Sequence, residues 1–316
     1  MGGEYILIKK ESCSLDYNNS FVDVSVIIPS KNEGKNLKFT VDSIIKSKNY
    51  LGFEVIIVDD ESTDSSTEFL NHDSNKNIYK NVILIKTDGL GVAGARNAGA
   101  KIAKGNYLFF CDAHIKVPNQ WLDNLVSTLK NSNVQIVAPC IVNMKNPLSA
   151  GYGMSWDDKL RPIWLPNKFR RISGIPFVCG CAFGITAEVF KKMNGFDRFF
   201  QVYGSEDFEL CLRAWLYGYK VALNPKVRVE HLFKEVHQYE ITASNVIFNI
   251  LCLAYSHFNK ERLIKIINIM KNEYSFSKAA ADIKNQADGI LRQRERYFKE
   301  RIYDDNFFFE KFNIHF

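Results

Sequence analysis

Asp112 and His114 stand two apart, directly after the apolar run Phe109-Phe110-Cys111. On an extended turn both side chains can aim at one cation. A departing diphosphate needs such a cation, because negative charge builds on its oxygens as the bond breaks. An imidazole beside the carboxylate shifts the preference from Mg2+ toward Mn2+ or a similar transition ion. A distant histidine can complete the shell: His231, in Glu230-His231-Leu232-Phe233-Lys234, follows the strand-like Val227-Arg228-Val229, and His237 is a second candidate. Glu206 and Asp207 offer another chemistry. Two carboxylates in the first turn of a helix suit its dipole, which alone would account for them. The chemical reading is a general base and its partner, taking the proton of an acceptor hydroxyl as it attacks.

Two further segments carry candidate groups. The carboxylates of Val58-Asp59-Asp60 can accept from a base or a ribose, and a capping role for Asp60 or Ser62 fits equally well. The stretch Gly91 to Gly99 looks like a glycine-rich nucleotide loop but lacks the GxGxxG register. Its small residues let a helix lie close under a sheet, and Arg96 puts a long cation there, suited to a phosphate or a ribose-linked carboxylate.

The elements that must position these groups follow from hydrophobic patterning. Unbroken β-branched and aromatic runs predict buried strands over 24–29, 54–60, 81–86 and 106–112. Leu37, Val41, Ile44 and Ile45 predict a helix over 35–48, and the Ala/Gly-rich 92–104 predicts another. The residues from Asp59 to Asp64 read as a further helix start. This order is α/β and doubly wound, with ligands expected at the carboxyl ends of the strands. An irregular stretch spans about 143–175, followed by a strand over 179–186 and a helix over 206–217. From about 238 onward the chain reads as helical. The division expected is an N-terminal extension at 1–21, a catalytic domain at 22–235 and a helical region at 236–316. The aromatic stretch 152–169, with Tyr152, Trp156, Trp164 and Phe169, is either an acceptor-side loop or core. Gly174, Gly180 and Gly184 would let a donor sugar approach the backbone.

Taken together, SVIIPSKNEGKNL, VDDESTD, GARNAGA, the Asp-Ala-His triplet and the downstream Glu-Asp pair resemble family 2 glycosyltransferases, over about residues 22–235. The triplet, the helix GSEDFELCLRAWLYGY and the EHLF histidine are similar to polypeptide N-acetylgalactosaminyltransferases. The Glu-Asp pair followed by a histidine is also similar to the C-terminal half of β-1,4-galactosyltransferases. The resemblance implies a GT-A fold: a Rossmann-like mixed sheet with helices on both faces, here with a helical C-terminal extension. It implies a UDP-sugar site from Pro29, Ser30, Glu33, Asp60, Arg96, Asp112 and Ala113. It implies Mn2+ held by Asp112, His114 and His231, with Asp207 as catalytic base and Glu206 against sugar or acceptor. Trp156 and Trp164 are the acceptor candidates. The polypeptide transferases carry Glu-Asn where this chain has Glu206-Asp207, and they retain anomeric configuration; the aspartate points instead to an inverting single displacement. The QxxRW signature of processive synthases is absent, so transfer of one sugar is expected.

Bulk properties bound the rest. The chain has 316 residues and a formal net charge of +6. Lys260 to Arg301 is rich in Lys and Arg, which suits a solvated helix face or an anionic surface. No run approaches the ~18 apolar residues of a membrane span, and the first ten residues do not read as a secretory signal. Seven scattered cysteines without a CxxC suggest a reducing compartment, hence the cytoplasm, with peripheral membrane contact open. The acceptor expected is a peptide or protein side chain, with a lipid-linked sugar as the alternative. The apolar C-terminal helices could dock on the catalytic domain, a membrane or a second subunit as a homodimer. Two competing classes are weaker. A nucleotidyltransferase would want a cationic loop after the first strand, where Glu33 stands. A non-catalytic sugar- or peptide-binding relative need not keep Asp112, His114, Asp207 and His231 together.

Overall fold

The computed structural model describes residues 21–166, 168–235 and 239–316, so His237 and nearly all of the N-terminal extension lie outside the described residues. In chain order the elements begin with β1 (Val24–Ser30), α1 (Lys35–Lys46), β2 (Phe53–Asp60), β3 (Val82–Thr87), α2 (Gly91–Ile102) and β4 (Tyr107–Cys111). There follow β5 (Ile115–Lys116), α3 (Trp121–Asn131), β6 (Ile136–Asn143), β7 (Asn146–Gly151), β8 (Met154–Trp156) and β9 (Pro162–Trp164). Next come β10 (Ser173–Gly174), β11 (Ala182–Thr186), α4 (Ala187–Lys192), α5 (Glu206–Leu216) and β12 (Val221–His231). The chain closes with α6 (Ala243–His257), α7 (Lys260–Met270), α8 (Phe276–Asn285), α9 (Ala287–Glu300) and α10 (Asp305–Lys311).

The main sheet runs β10-β12-β6-β11-β4-β1-β2-β3. β1 pairs in parallel with β2 and β4, and β2 with β3, while β11 runs antiparallel between β4 and β6. The sheet is therefore mixed. Chain order reverses across β1, which opens a crevice at the carboxyl ends of β1, β2 and β4. The alternation of a strand sends β1 side chains to both faces. Ile27 joins α2 and the C-terminal helices on one side, while Val24, Val26 and Ile28 join α1 and α3 on the other. The close approach of α2 has a definite cause: a Cβ on Gly99 would lie 2.5 Å from Ile27 Cγ2.

No helix starts over Asp59 to Asp64, contrary to the expectation; the next helical turns are short 3-10 pieces at Glu68–Leu70 and Asp73–Asn75. The polar side chains bond to neighbouring backbone instead of supporting a helix. Asp59 accepts from the Ser62 N–H, Asp64 accepts from the Gly34 N–H, and the Ser62 hydroxyl accepts from the Asn32 N–H. Glu61 is held at a positive φ of 66°.

The C-terminal helices share one buried core with α5 and one face of the main sheet. Phe248, Leu251, Phe258, Phe308 and Phe309 are buried in one cluster with Phe177 and Phe208. Trp156 belongs to this cluster, 4.4 Å from Phe177 and 5.7 Å from Phe208 between ring centroids. It is therefore core and not an acceptor contact: burying so large an apolar ring stabilises the join between the two regions. Among the described residues no helix is long and apolar enough to cross a membrane.

Candidate active site

A cavity of about 510 Å³ opens at the carboxyl ends of β1, β2 and β4, within the size range of small-molecule sites. Pro29, Ser30, Glu33, Asp60, Asp112 and Ala113 line it, together with His114 and His231. Pairing of β5 with β12 sets His231 opposite Ile115, and the Leu232 N–H donates to the His114 carbonyl at 3.0 Å. Thus the sheet edge brings His231 beside a triplet more than a hundred residues earlier. The Asp112 N–H donates to the Cys181 carbonyl at 2.9 Å, which anchors the triplet to the residue just before β11.

One ligand atom each from Asp112, His114 and His231 falls within 4.8 Å of the others. His231 Nε2 lies 3.3 Å from Asp112 Oδ2, and His114 Nε2 lies 3.9 Å from it. Burial alone would raise the Asp112 pKa, but the His231 hydrogen bond and the charges of His114, His231 and Arg96 hold it well below the usual carboxylate range. Behind His114, Glu33 Oε2 sits 3.2 Å from Nδ1, and Glu33 Oε1 accepts from Lys234 Nζ at 2.7 Å. A carboxylate on the far imidazole nitrogen fixes the tautomer that leaves Nε2 free for an ion. One carboxylate and two imidazoles facing open space fit a divalent transition ion.

Arg96 does not line the cavity, although the sequence suggested a donor contact. Its side chain is 2 % exposed, with Nη1 donating to Glu206 Oε1 at 2.8 Å and Nη2 to the Gly180 carbonyl at 2.8 Å and to Asp112 Oδ1 at 3.3 Å. Its charge is balanced by protein carboxylates rather than by a ligand. Glu206 and Asp207 open α5 just behind this cation and also lie outside the cavity lining. Asp207 Oδ2 accepts from the Gly180 N–H at 2.7 Å, and Oδ1 accepts from the Phe208 N–H at 2.9 Å. Burial and the neighbouring Glu206 charge push the Asp207 pKa up to about 7. A Cβ on Gly180 would lie 2.9 Å from Asp207 Oδ2, so this glycine makes room for a protein carboxylate. Gly184 likewise faces the Phe109 ring, 2.5 Å from where its Cβ would stand, which is packing rather than sugar access.

Asp60 ties the end of β2 to the start of α2 and caps no helix of its own. It lines the cavity, and its oxygens accept from the Thr87 hydroxyl and from the Leu90 and Gly91 N–H groups at the start of α2. Gly91 is required by space as well: a Cβ there would lie 2.9 Å from Val202 backbone atoms. Val202 itself has a φ of 45°, an outlier for a β-branched residue, and it lines the cavity beside Tyr203.

Several lining residues received no role in the sequence reading. Lys234, Phe233, Tyr203 and Tyr239 all line the cavity. The signal for Lys234 and Phe233 was their place directly after His231, and for Tyr203 its place directly before Gly204. Trp164 stands 37 % exposed with its ring 6.4 Å from Phe233, beside a lining residue but not itself in the lining.

Comparison with known proteins identifies the family and the fold. The family model described as glycosyl transferase family 2 matches residues 25–193, and one described as the N-terminal domain of galactosyltransferase matches 166–238. Human polypeptide N-acetylgalactosaminyltransferase 16 is 29% identical over 254 residues, covering 75% of this chain and 45% of its own length. Polypeptide N-acetylgalactosaminyltransferase 8 of Drosophila melanogaster is 29% identical over 67% of this chain and 38% of its own length. The chain thus spans less than half the length of these two relatives. A crystal structure of GalNAc-T7 with UDP, GalNAc and Mn2+ superposes with a TM-score of 0.72 at 23% identity, covering 94% of this chain and 57% of that one.

Proposed function

The chain belongs to glycosyl transferase family 2, and from that membership we propose that it moves a single sugar from a UDP-linked donor onto a peptide or protein side chain. The observation that carries this reading is the Asp112, His114 and His231 donor set facing the cavity at the strand ends. Mn2+ is the ion that suits this set, and the GalNAc-T7 structure that resembles the chain contains it with UDP. Held by those three residues, it would offset the charge that develops on the departing diphosphate. Pro29, Ser30 and Asp60 line the nucleotide end. Lys234 lies where its ammonium can meet phosphate oxygens, and Glu33 holds it in place. Arg96 keeps Glu206 and Asp112 in register instead of touching the donor.

Asp207, which stands at the start of α5 outside the cavity lining, is the base that the family resemblance implies for the acceptor proton. Each of its oxygens accepts one backbone N–H, and each keeps a second lone pair. With a pKa near 7 it is matched to work at neutral pH. A single displacement with this base inverts the anomeric centre. Glu206, bonded to Arg96, sets the position and basicity of Asp207. The names of the relatives support a polypeptide acceptor, and Trp164 with Phe233 provides an aromatic rim for it. Catalysis belongs to residues 22–235, and from the region 236–316 helices α6 to α10 pack against them. The six described cysteines are unpaired, which suits a reducing, cytoplasmic setting.

The test offers the purified protein a panel of nucleotide sugars with and without Mn2+ and follows nucleotide release. Mn2+-dependent UDP release from one donor, abolished in His114→Ala and His231→Ala, is the expected result. The anomeric configuration of the product, read by NMR, decides inversion. Absence of nucleotide binding with any metal would overturn the reading.

A further inference from the structure

We propose that a second cleft, between α3, β12 and the segment 170–172, binds acidic polypeptide and is an outlying subsite for the acceptor. The second half of this statement rests on the transferase reading above. The cleft encloses about 530 Å³, as large as the active-site cavity. Arg170, Arg171 and Lys226 line it, and no carboxylate does. Among the described residues none of these three cations has an ion-pair partner. Three uncompensated cations around one concavity attract anionic groups and speed their encounter.

The rest of the lining distinguishes among anions. Asn124, Ser127 and Asn131 follow one another along a single face of α3, the i, i+3, i+7 spacing of one helical stripe. Side-chain amides and hydroxyls on such a stripe can both donate to and accept from the amides of an extended chain. The floor is closed by Asn224, whose Nδ2 donates to Thr128 Oγ1 at 2.9 Å, so it adds no cation and no apolar pocket. A cleft with cations for carboxylates and amides for backbone fits an acidic peptide.

Its place on β12 ties it to the active site. Asn224 lies on β12, the strand that ends in His231. At about 3.3 Å per residue the two are at most about 23 Å apart, a span that roughly seven residues of extended peptide cover.

The test uses a labelled peptide of about 12 residues alternating Glu and Ser, its Gln counterpart, and a hyaluronan hexasaccharide as an anionic carbohydrate. Binding is read by fluorescence anisotropy without metal or nucleotide. The Glu peptide should bind wild type, lose affinity as salt rises, and lose about tenfold in the Arg170→Gln/Arg171→Gln/Lys226→Gln variant. Asn124→Leu/Asn131→Leu should weaken the peptide but not the hexasaccharide. With Glu-flanked acceptor, the charge variant should raise KM about tenfold at unchanged kcat. Equal peptide binding by wild type and charge variant overturns the proposal. So does a hexasaccharide that competes as well as the peptide while the asparagine variant is neutral, which would make this a carbohydrate cleft. Peptide binding lost in the charge variant, without UDP release by wild type, would leave the cleft standing and sink the transferase reading. UDP release with KM unmoved would do the reverse.

Discussion

Arg96 Nη1 donates to Glu206 Oε1 at 2.8 Å across 110 residues of sequence, and the same guanidinium reaches Asp112 and the Gly180 carbonyl. One buried cation thus joins the candidate ion site to the start of α5. Removing it leaves Glu206 buried without its counter-charge. Arg96→Ala should cost roughly 3–5 kcal/mol in denaturant unfolding. Arg96→Ala with Glu206→Gln should cost clearly less than the two single changes added together, because the second removes the stranded charge. Strict additivity would mean the two groups are not coupled.

Gly180 is the second point of close fit. An alanine Cβ would stand 2.9 Å from Asp207 Oδ2 and 3.3 Å from its Cγ. Gly180→Ala should destabilise by about 1–3 kcal/mol and lower transfer activity by displacing Asp207. Adding Asp207→Ala should restore stability without restoring activity. If Gly180→Ala melts like wild type, the backbone yields more easily than this geometry implies.

Much of this arrangement was legible in the sequence because it is local. Strands 24–29, 54–60, 81–86 and 106–112 announced themselves as unbroken apolar runs, and Asp112 with His114 followed one of them. The α/β order and the helical C-terminal region stand as expected. What was not legible depends on partners far apart in the chain. Nothing local tells that Arg96 meets Glu206 rather than a phosphate, since a guanidinium suits both. Trp156 and Trp164 differ by eight positions and share a residue type; only packing of the C-terminal helices separates a core ring from an exposed ring. The missing helix start over Asp59 to Asp64 reflects side chains that suit a helix start and a loop equally well.

The base assignment has a pH signature. Asp207 is buried, faces the like charge of Glu206, and has Arg96 as the nearby cation; the net result is a pKa of about 7. If its ionised form is the active one, kcat/KM should rise with pH and level off above a midpoint near 7. Glu206→Gln removes the like charge and frees Arg96, so both effects should move the midpoint to lower pH. Asp207→Asn should abolish turnover while donor binding persists. A midpoint that stays put in Glu206→Gln would assign it to another group.

The ion site can be probed without turnover. Glu33 Oε2 lies 3.2 Å from His114 Nδ1, so Glu33→Gln weakens the group that orients this imidazole. Mn2+ affinity, read from the EPR signal of free Mn2+, should fall about 10–100-fold. His231→Ala, which removes a ligand, should do at least as much. An unchanged Mn2+ affinity in both variants would place the ion elsewhere.

The loop after α4 meets the C-terminal helices through Asp197. Asp197 is 2 % exposed; Gln293 Nε2 of α9 donates to its Oδ2 at 2.6 Å, and the Phe199 N–H donates to Oδ1 at 2.8 Å. Burial and the charge of Glu209 raise its pKa to about 7, from an ordinary value of 3.8. Between these values the folded chain holds a proton that the unfolded chain has lost, so folding stability falls as pH rises through that window. Above about 7 both states are ionised and the folded state bears the full cost of a buried charge. Asp197→Asn stays neutral, keeps one acceptor for its two donors, and escapes that cost. Relative to wild type it should be comparable near pH 5 and more stable by roughly 1–3 kcal/mol near pH 8. Thermal melts of both proteins at the two pH values check this: curves that shift in parallel would mean that Asp197 titrates as an ordinary carboxylate despite its burial.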